Sequence, residues 1–210
     1  MLVGRLRFSV RRALTSTRTQ DTTMSAHTES WPRPHRLTVD DYYRMAEVGV
    51  LSPDDRTELI DGEIVDMAPI GSAHADVVML LTQRLFRAVG DSAAVRTQLP
   101  IRLSSRSEPQ PDVALVKAKP AGYRRAHPSP GDVLLLIEVS DTTLRYDLNV
   151  KARLYATHEV PEYWVVDLVA NRVCRHRLPS GSRYGERVEI AAGSLALPNG
   201  LGEITVAELF

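Results

Sequence analysis

Asp112 opens the apolar run Pro111-Asp-Val-Ala-Leu-Val116, and Glu138 sits near the end of Leu134-Leu-Leu-Ile-Glu-Val-Ser140. A carboxylate at the end of so apolar a stretch is costly to bury unless it is paired or holds a metal. Two of them on adjacent strands can converge at one sheet edge, and such hard oxygen ligands suit Mg2+ or Mn2+ rather than zinc. Lys151 lies in the first turns of the helical pattern that follows Glu138, and its flexible stem can reach back toward the strand end. An ammonium there can orient an attacking water and offset charge on a pentavalent phosphate.

Each residue has a plainer reading. Asp112 suits a turn after Pro109-Gln-Pro111, Glu138 an ion pair with Arg145, Lys151 or Arg153, and Lys151 a surface position. The case for chemistry rests on the conjunction and its order. His74, at the start of a helical pattern, could serve as a ligand or proton shuttle, or simply cap and pack. His127 and the cluster Arg172, Arg175, His176 and Arg177 could touch phosphates, although charge runs are usually solvated faces. Tyr163 and Trp164 read as core or a dimer face. There is no phosphate-binding glycine loop, no His-Glu-x-x-His and no Gly-x-Ser-x-Gly.

These residues need a scaffold, and the pattern supplies one. Thr38 reads as the N-cap of a first helix, with Asp40 and Asp41 in its first turn and Gly49 as its stop. Residues 57–67 read as two strands turning at Asp61-Gly62, since both central residues of such a turn need positive φ. Val77, Leu80, Leu81, Leu85 and Val89 share one face of a helix over 72–89, closed by Gly90. Strands are expected at 94–98, 101–103, 112–116 and 133–139, the last apolar without alternation, as a strand covered on both faces should be. A helix over 141–157 follows, then strands at 162–167, 172–178 and 186–190 and a short tail. The segment 117–131, rich in Pro, Lys and Arg, reads as a mobile loop. The order predicts an α/β fold, a mixed sheet flanked by helices in a single domain over 37–210.

With 210 residues, 43% of them hydrophobic, the chain can bury a core without staples. The lone Cys174 excludes an internal disulfide or a cysteine-based zinc cluster, fits a reducing cytosol, and reads as a half-buried strand residue. The longest apolar run, Val133 to Ile137, is far too short for a membrane span, so a soluble cytoplasmic protein is expected. Residues 1–23 carry Arg5, Arg7, Arg11, Arg12 and Arg18 against Asp21, a net of +4, and the whole chain sums to 0, leaving −4 for the remainder. That balance excludes bulk-charge DNA binding, while a metal ion can supply positive charge where a phosphate sits. Residues 1–36 read as a disordered extension or a start assigned too early, with Met24 opening the chain; an organelle presequence is the other reading of their composition.

The chain resembles the Uma-two family of restriction endonucleases, within the PD-(D/E)XK nuclease superfamily. The matching pieces are Tyr42-Tyr-Arg-Met45, Thr57-Glu-Leu-Ile-Asp-Gly-Glu63 and Pro111-Asp-Val113, then Ile137-Glu-Val-Ser140, Lys151-Ala-Arg-Leu-Tyr-Ala156 and Val160-Pro-Glu-Tyr-Trp-Val-Val-Asp167. The resemblance implies a restriction-endonuclease-like core, Mg2+-dependent hydrolysis of nucleic acid, DNA foremost, and a homodimer. It adds Glu58 as a third acidic group, makes Asp112 and Glu138 metal ligands and makes Lys151 the catalytic lysine. One departure stands out. The superfamily's lysine usually lies two residues after the glutamate, where this chain has Ser140, so its role passes to Lys151 and Ser140 caps the helix or bonds the ligand shell. The rival expectation is a catalytically inactive nucleic-acid-binding or dimerising regulatory module on the same fold. A hydrolase of nucleotides or other small phosphate esters is a third.

Overall fold

The computed structural model describes Met1, residues 32–52 and residues 54–210. His35–Phe210 forms one compact unit. The extension expected over residues 1–36 lies for the most part outside the described residues.

Thr38 caps helix α1 (Val39–Glu47), its hydroxyl accepting from Asp41 N while the Asp41 carboxylate accepts from Thr38 N, which satisfies two donors the helix start leaves free. Strands β1 (Thr57–Ile60) and β2 (Glu63–Asp66) pair antiparallel around Asp61 and Gly62, whose φ values of 49° and 79° are those the two-residue turn demands. Gly62 carries a second constraint: a Cβ there would meet the Arg36 Cβ at 2.8 Å and the Leu37 carbonyl at 2.9 Å. Gly49 also has positive φ, but nothing lies within 4 Å of its Cβ position. Gly49→Ala is therefore expected to cost about 1 kcal/mol from backbone strain alone, and Gly62→Ala clearly more. Equal costs in urea melts would show that the close approach of residues 36–37 to the turn is not felt.

Helix α2 (Ser72–Val89) covers one face of a six-stranded sheet. The sheet is built from β3 (Ala93–Thr97), β4 (Val113–Lys117), β5 (Val133–Ser140), β6 (Glu162–Asp167), β7 (Arg172–Ser180) and β8 (Arg183–Ile190), in that spatial order. All neighbours are antiparallel except β5 and β6. That parallel pair requires a crossover, made by α3 (Leu144–Tyr146), a π-helical turn Asp147–Lys151 and α4 (Ala152–Thr157), which run as one helical segment. A small hairpin, β9 (Ser194–Ala196) with β10 (Glu203–Thr205), follows the sheet.

Every residue of β5 and β6 is buried, because both sheet faces are covered. Leu135, Ile137, Val139, Trp164 and Val166 pack with Val78, Leu81 and Leu85 of α2. Leu136, Tyr163 and Val165 face the other way, onto Leu154 and Tyr155 of α4. Glu138 and Ser140 alternate with the α2-facing residues of β5, so period two puts them on the α4 side. Each fully buried aliphatic side chain in these layers contributes about 1.5–3 kcal/mol.

Several elements differ from the sequence expectation. Residues 101–103 form no strand: Ile101 N bonds the Pro109 carbonyl and Leu103 N that of Ser107, so their apolar alternation serves a tight loop. The expected tail folds back as the β9–β10 hairpin and buries Leu195, Ile204, Val206 and Leu209 beneath α2. Cys174 is fully rather than half buried, and burial pushes its thiol up. Segment 117–131 is tied where Tyr123 Oη donates to the Lys117 carbonyl at 2.8 Å and where Arg102 N bonds the Pro128 carbonyl. Arg172 and Arg175 are ion-paired, to Asp167 and Glu189 and to Glu186, which leaves that cluster little free charge for phosphate.

His176 is buried against Tyr163, ring centroids 5.4 Å apart, and its Nδ1 has no hydrogen-bond partner. Burial, with Arg187 adding to it, holds its pKa below 6.5. Unfolding below pH 6.5 therefore takes up a proton, and the stability His176 gives near neutrality is lost as pH falls from 6.5 toward its folded pKa, by up to about 1.4 kcal/mol per pH unit. His176→Phe is expected to flatten the acid limb of a stability-against-pH curve. An unchanged limb would place the protonation elsewhere.

Candidate active site

Four elements deliver acidic side chains to one cavity of about 510 Å3. Glu58 comes from β1, Asp112 from the residue before β4, Glu138 from the end of β5 and Asp147 from the π turn, where Lys151 also sits. All five are buried. β1 is outside the main sheet, held near it where Leu59 bridges Glu108 and where Gln110 N donates to Glu58 Oε2 at 3.1 Å. β4 and β5 are adjacent, which puts Asp112 beside Glu138: the Asp112 amide donates to Glu138 Oε2 at 3.2 Å, and the Val139 amide to Asp112 Oδ2 at 2.9 Å.

Lys151 is held between two carboxylates, its Nζ 2.6 Å from Glu58 Oε2 and 3.2 Å from Glu138 Oε1. Tyr155, one turn further along, donates to Glu138 Oε1 at 2.7 Å. Burial pushes Glu138 up to about 8, Lys151 pulling against it while Asp112, Asp147 and Glu58 push the same way. Burial alone would lower Lys151, but Glu138 and Glu58 outweigh it and hold the ammonium above the ordinary lysine range.

His74, in the first turn of α2, reaches Asp112 Oδ2 with Nε2 at 3.0 Å, and that bond raises its pKa. Gln98 Nε2 donates to Asp112 Oδ1 at 3.3 Å. Ser140 does not line the cavity: its hydroxyl donates to Asp147 Oδ2 at 2.7 Å, and Thr143 donates to the same oxygen at 2.6 Å. Glu58, Asp112, Glu138, Lys151 and His74 thus meet at one cavity, with Ser140 one bond behind it.

Sequence reasoning passed over Asp147, Tyr155, Gln98 and Gln110. The available signal for the first two was spacing, since Asp147, Lys151 and Tyr155 follow one another at intervals of four along one helical segment. The two glutamines act through contacts between distant segments and left no local trace.

Among the described residues, no group of three or more His, Cys, Asp or Glu is arranged to hold a metal ion. The donor chemistry nonetheless fits a hard divalent cation. Mg2+ is held by one or two carboxylates and keeps several waters, so it needs no closed protein cage. The cavity's acidic ligands are all carboxylates, and its lining carries Glu58, Asp66, Asp112, Glu138, Asp141 and Asp147 against Arg56, His74 and Lys151, an excess of acids even with Glu138 protonated. A divalent cation would offset that excess.

Among the described residues, no helix is long and apolar enough to cross a membrane. No curated protein matches this chain. A solved structure from Anabaena variabilis, described as a "putative nuclease belonging to DUF820", superposes with a TM-score of 0.63 at 13% identity, covering 83% of this chain and 97% of that one. At that identity the likeness concerns the fold alone. The Uma2 family model, described as "Putative restriction endonuclease", matches residues 39–207, most of the chain, which therefore belongs to the Uma2 family.

Proposed function

We propose that this protein is a divalent-metal-dependent endonuclease that hydrolyses phosphodiester bonds in DNA, with Mg2+ or Mn2+ as its ion. The observation that carries this reading is the Lys151 ammonium seated between Glu58 and Glu138 on the cavity that Asp112 also lines. Asp112 and Glu138 would hold the ion, with Glu58 the third acidic group. When bound, a divalent cation supplies Lewis acidity at the scissile phosphate and neutralises charge that builds there.

The chain's own residues do the rest. Lys151, held protonated by its carboxylate partners, is a poor base; it acts as a hydrogen-bond donor that orients the attacking water and as a fixed charge against the pentavalent phosphate. Tyr155 fixes the rotamer of Glu138, and His74 with Gln98 fixes that of Asp112. A homodimer and a cytoplasmic location belong to the same reading. A two-fold pair of sites suits the two antiparallel strands of a duplex, and a lone buried cysteine fits a reducing compartment.

Supercoiled plasmid, single-stranded DNA and RNA, each incubated with Mg2+ or Mn2+, test the proposal, with light scattering for the dimer. Cleavage of DNA that EDTA stops and that Glu138→Ala abolishes is the expected outcome. Folded protein that cuts none of the three, and takes up neither ion in calorimetry, would sink it and favour the non-catalytic nucleic-acid-binding module.

A further inference from the structure

The crossover from β5 to β6 departs from α-helical geometry at one place, the π turn Asp147–Lys151. Such turns are uncommon and recur at functional sites, because they change which way a side chain leaves the helix. Here the turn begins with a buried acid and ends with the buried lysine of the cavity.

The start of the turn is tied down on three sides. Asp147 Oδ2 accepts from Ser140 Oγ at 2.7 Å and from Thr143 Oγ1 at 2.6 Å. The Asp147 carbonyl accepts from Tyr163 Oη at 3.1 Å. Ser140 ends β5, two residues beyond Glu138, and Tyr163 lies on β6, so these bonds join the turn to both strands of the parallel pair. The Asp147 carboxylate bonds Ser140 and Thr143 rather than the Lys151 ammonium, which bonds Glu58 and Glu138, so any hold of one on the other runs through the single turn of backbone between them. A carboxylate so deeply buried is costly without such partners, and the two hydroxyls are what it has.

We propose that Asp147 is a positioning residue: through Ser140 and Thr143 it clamps the π turn to the end of β5 and so holds the Lys151 ammonium between Glu58 and Glu138. The proposal rests on the nuclease reading only for its consequence in catalysis. The placement of Lys151 is a property of the folded chain and can be read without activity.

The chain has three lysines, Lys117, Lys119 and Lys151, and the first two are exposed. Acylation of the folded protein by an amine-reactive reagent, followed by mass spectrometry, therefore reports Lys151 against two internal standards. In the parent protein Lys151 should be the slow site. Asp147→Ala and Ser140→Ala should each speed acylation at Lys151 while Lys117 and Lys119 keep their rates. In the cleavage assay Asp147→Ala should lower kcat by about 10²-fold with KM little changed, the scale expected when a reacting group is displaced by about 1 Å. Asp147→Asn keeps an oxygen that can accept both hydroxyl bonds, so it should restore both slow labelling and kcat.

Two results would overturn the proposal. One is unchanged Lys151 labelling in both Asp147→Ala and Ser140→Ala. The other is an Asp147→Asn variant as impaired as Asp147→Ala with Lys151 still protected, which would mean that the charge of Asp147 acts directly in the cavity. If the parent protein cuts nothing, the nuclease reading fails by itself, and the labelling pattern still decides whether Asp147 places Lys151.

Discussion

Lys151→Met is expected to lower metal-supported DNA cleavage by about 10²–10³-fold, the range seen when one preorganised donor to developing charge is removed. The physical reason lies in its setting. The ammonium is buried, charged throughout the working pH range and already oriented by Glu58 and Glu138, so little reorganisation is needed when negative charge builds on the phosphate. Methionine keeps much of the stem and removes the charge. The same change strips two buried carboxylates of their only ammonium, which should destabilise the metal-free protein by about 3–5 kcal/mol, the usual consequence of breaking a buried pair. Thermal melts in EDTA and in Mg2+ separate the two effects. Added Mg2+ should recover part of the lost stability by mass action without recovering cleavage. Parent-like cleavage by a folded Lys151→Met protein would remove the lysine from the mechanism.

Trp164→Ala should be among the most damaging single changes to the fold, at about 3–5 kcal/mol. Trp164 is wholly buried at the centre of the sheet, among the residues that pack against α2, and its Nε1 donates to Glu162 Oε1 at 2.7 Å. Truncation leaves a large void and takes the hydrogen-bond donor at 2.7 Å from Glu162, which is itself buried and keeps Arg177 at 3.5 Å. For a domain of this size the melting temperature should fall by roughly 2–4 °C per kcal/mol. Trp164→Phe, which fills most of the space and loses only the hydrogen bond, should cost about 1–2 kcal/mol. A loss below about 1 kcal/mol on Trp164→Ala would mean that the core closes over the gap.

What the chain reveals unaided depends on how local the cause is. The turn at Asp61-Gly62 is legible because its φ requirement falls on two adjacent residues, and α2 because five apolar side chains repeat at helical spacing. β5 is legible because a strand covered on both faces has no polar alternation, which also makes Glu138 conspicuous. Asp147 is legible only through its spacing of four from Lys151 and Tyr155, since nothing in Arg145-Tyr-Asp-Leu-Asn-Val150 signals the π turn that carries it. The β9–β10 hairpin hides for another reason. Its strands have three residues each, too short for any period, and Leu195 and Ile204, paired across the hairpin, are buried in the cluster that α2 completes. Ile101 and Leu103 mislead in the opposite sense, alternating like a strand while their amides bond within a loop.

The pairing of β4 with β5 slips once: Val116 stands opposite Val133 and Leu115 opposite Leu135, so Leu134 is a supernumerary residue in the ladder. Beyond it the strand is strict, with Leu135, Ile137 and Val139 turned to α2 and the alternate positions 136, 138 and 140 to the other layer. The strand thus tolerates a change of letter better than a change of count. Swapping one aliphatic residue for another alters a contact, whereas removing one residue between 135 and 137 would turn the glutamate into the aliphatic layer and a valine toward the acids. Loss of position 134 is different, because the bulge holds slack of one residue and the ladder could absorb the deletion by straightening. Insertions and deletions compatible with a working site should therefore gather at that single kink, upstream of the chemistry.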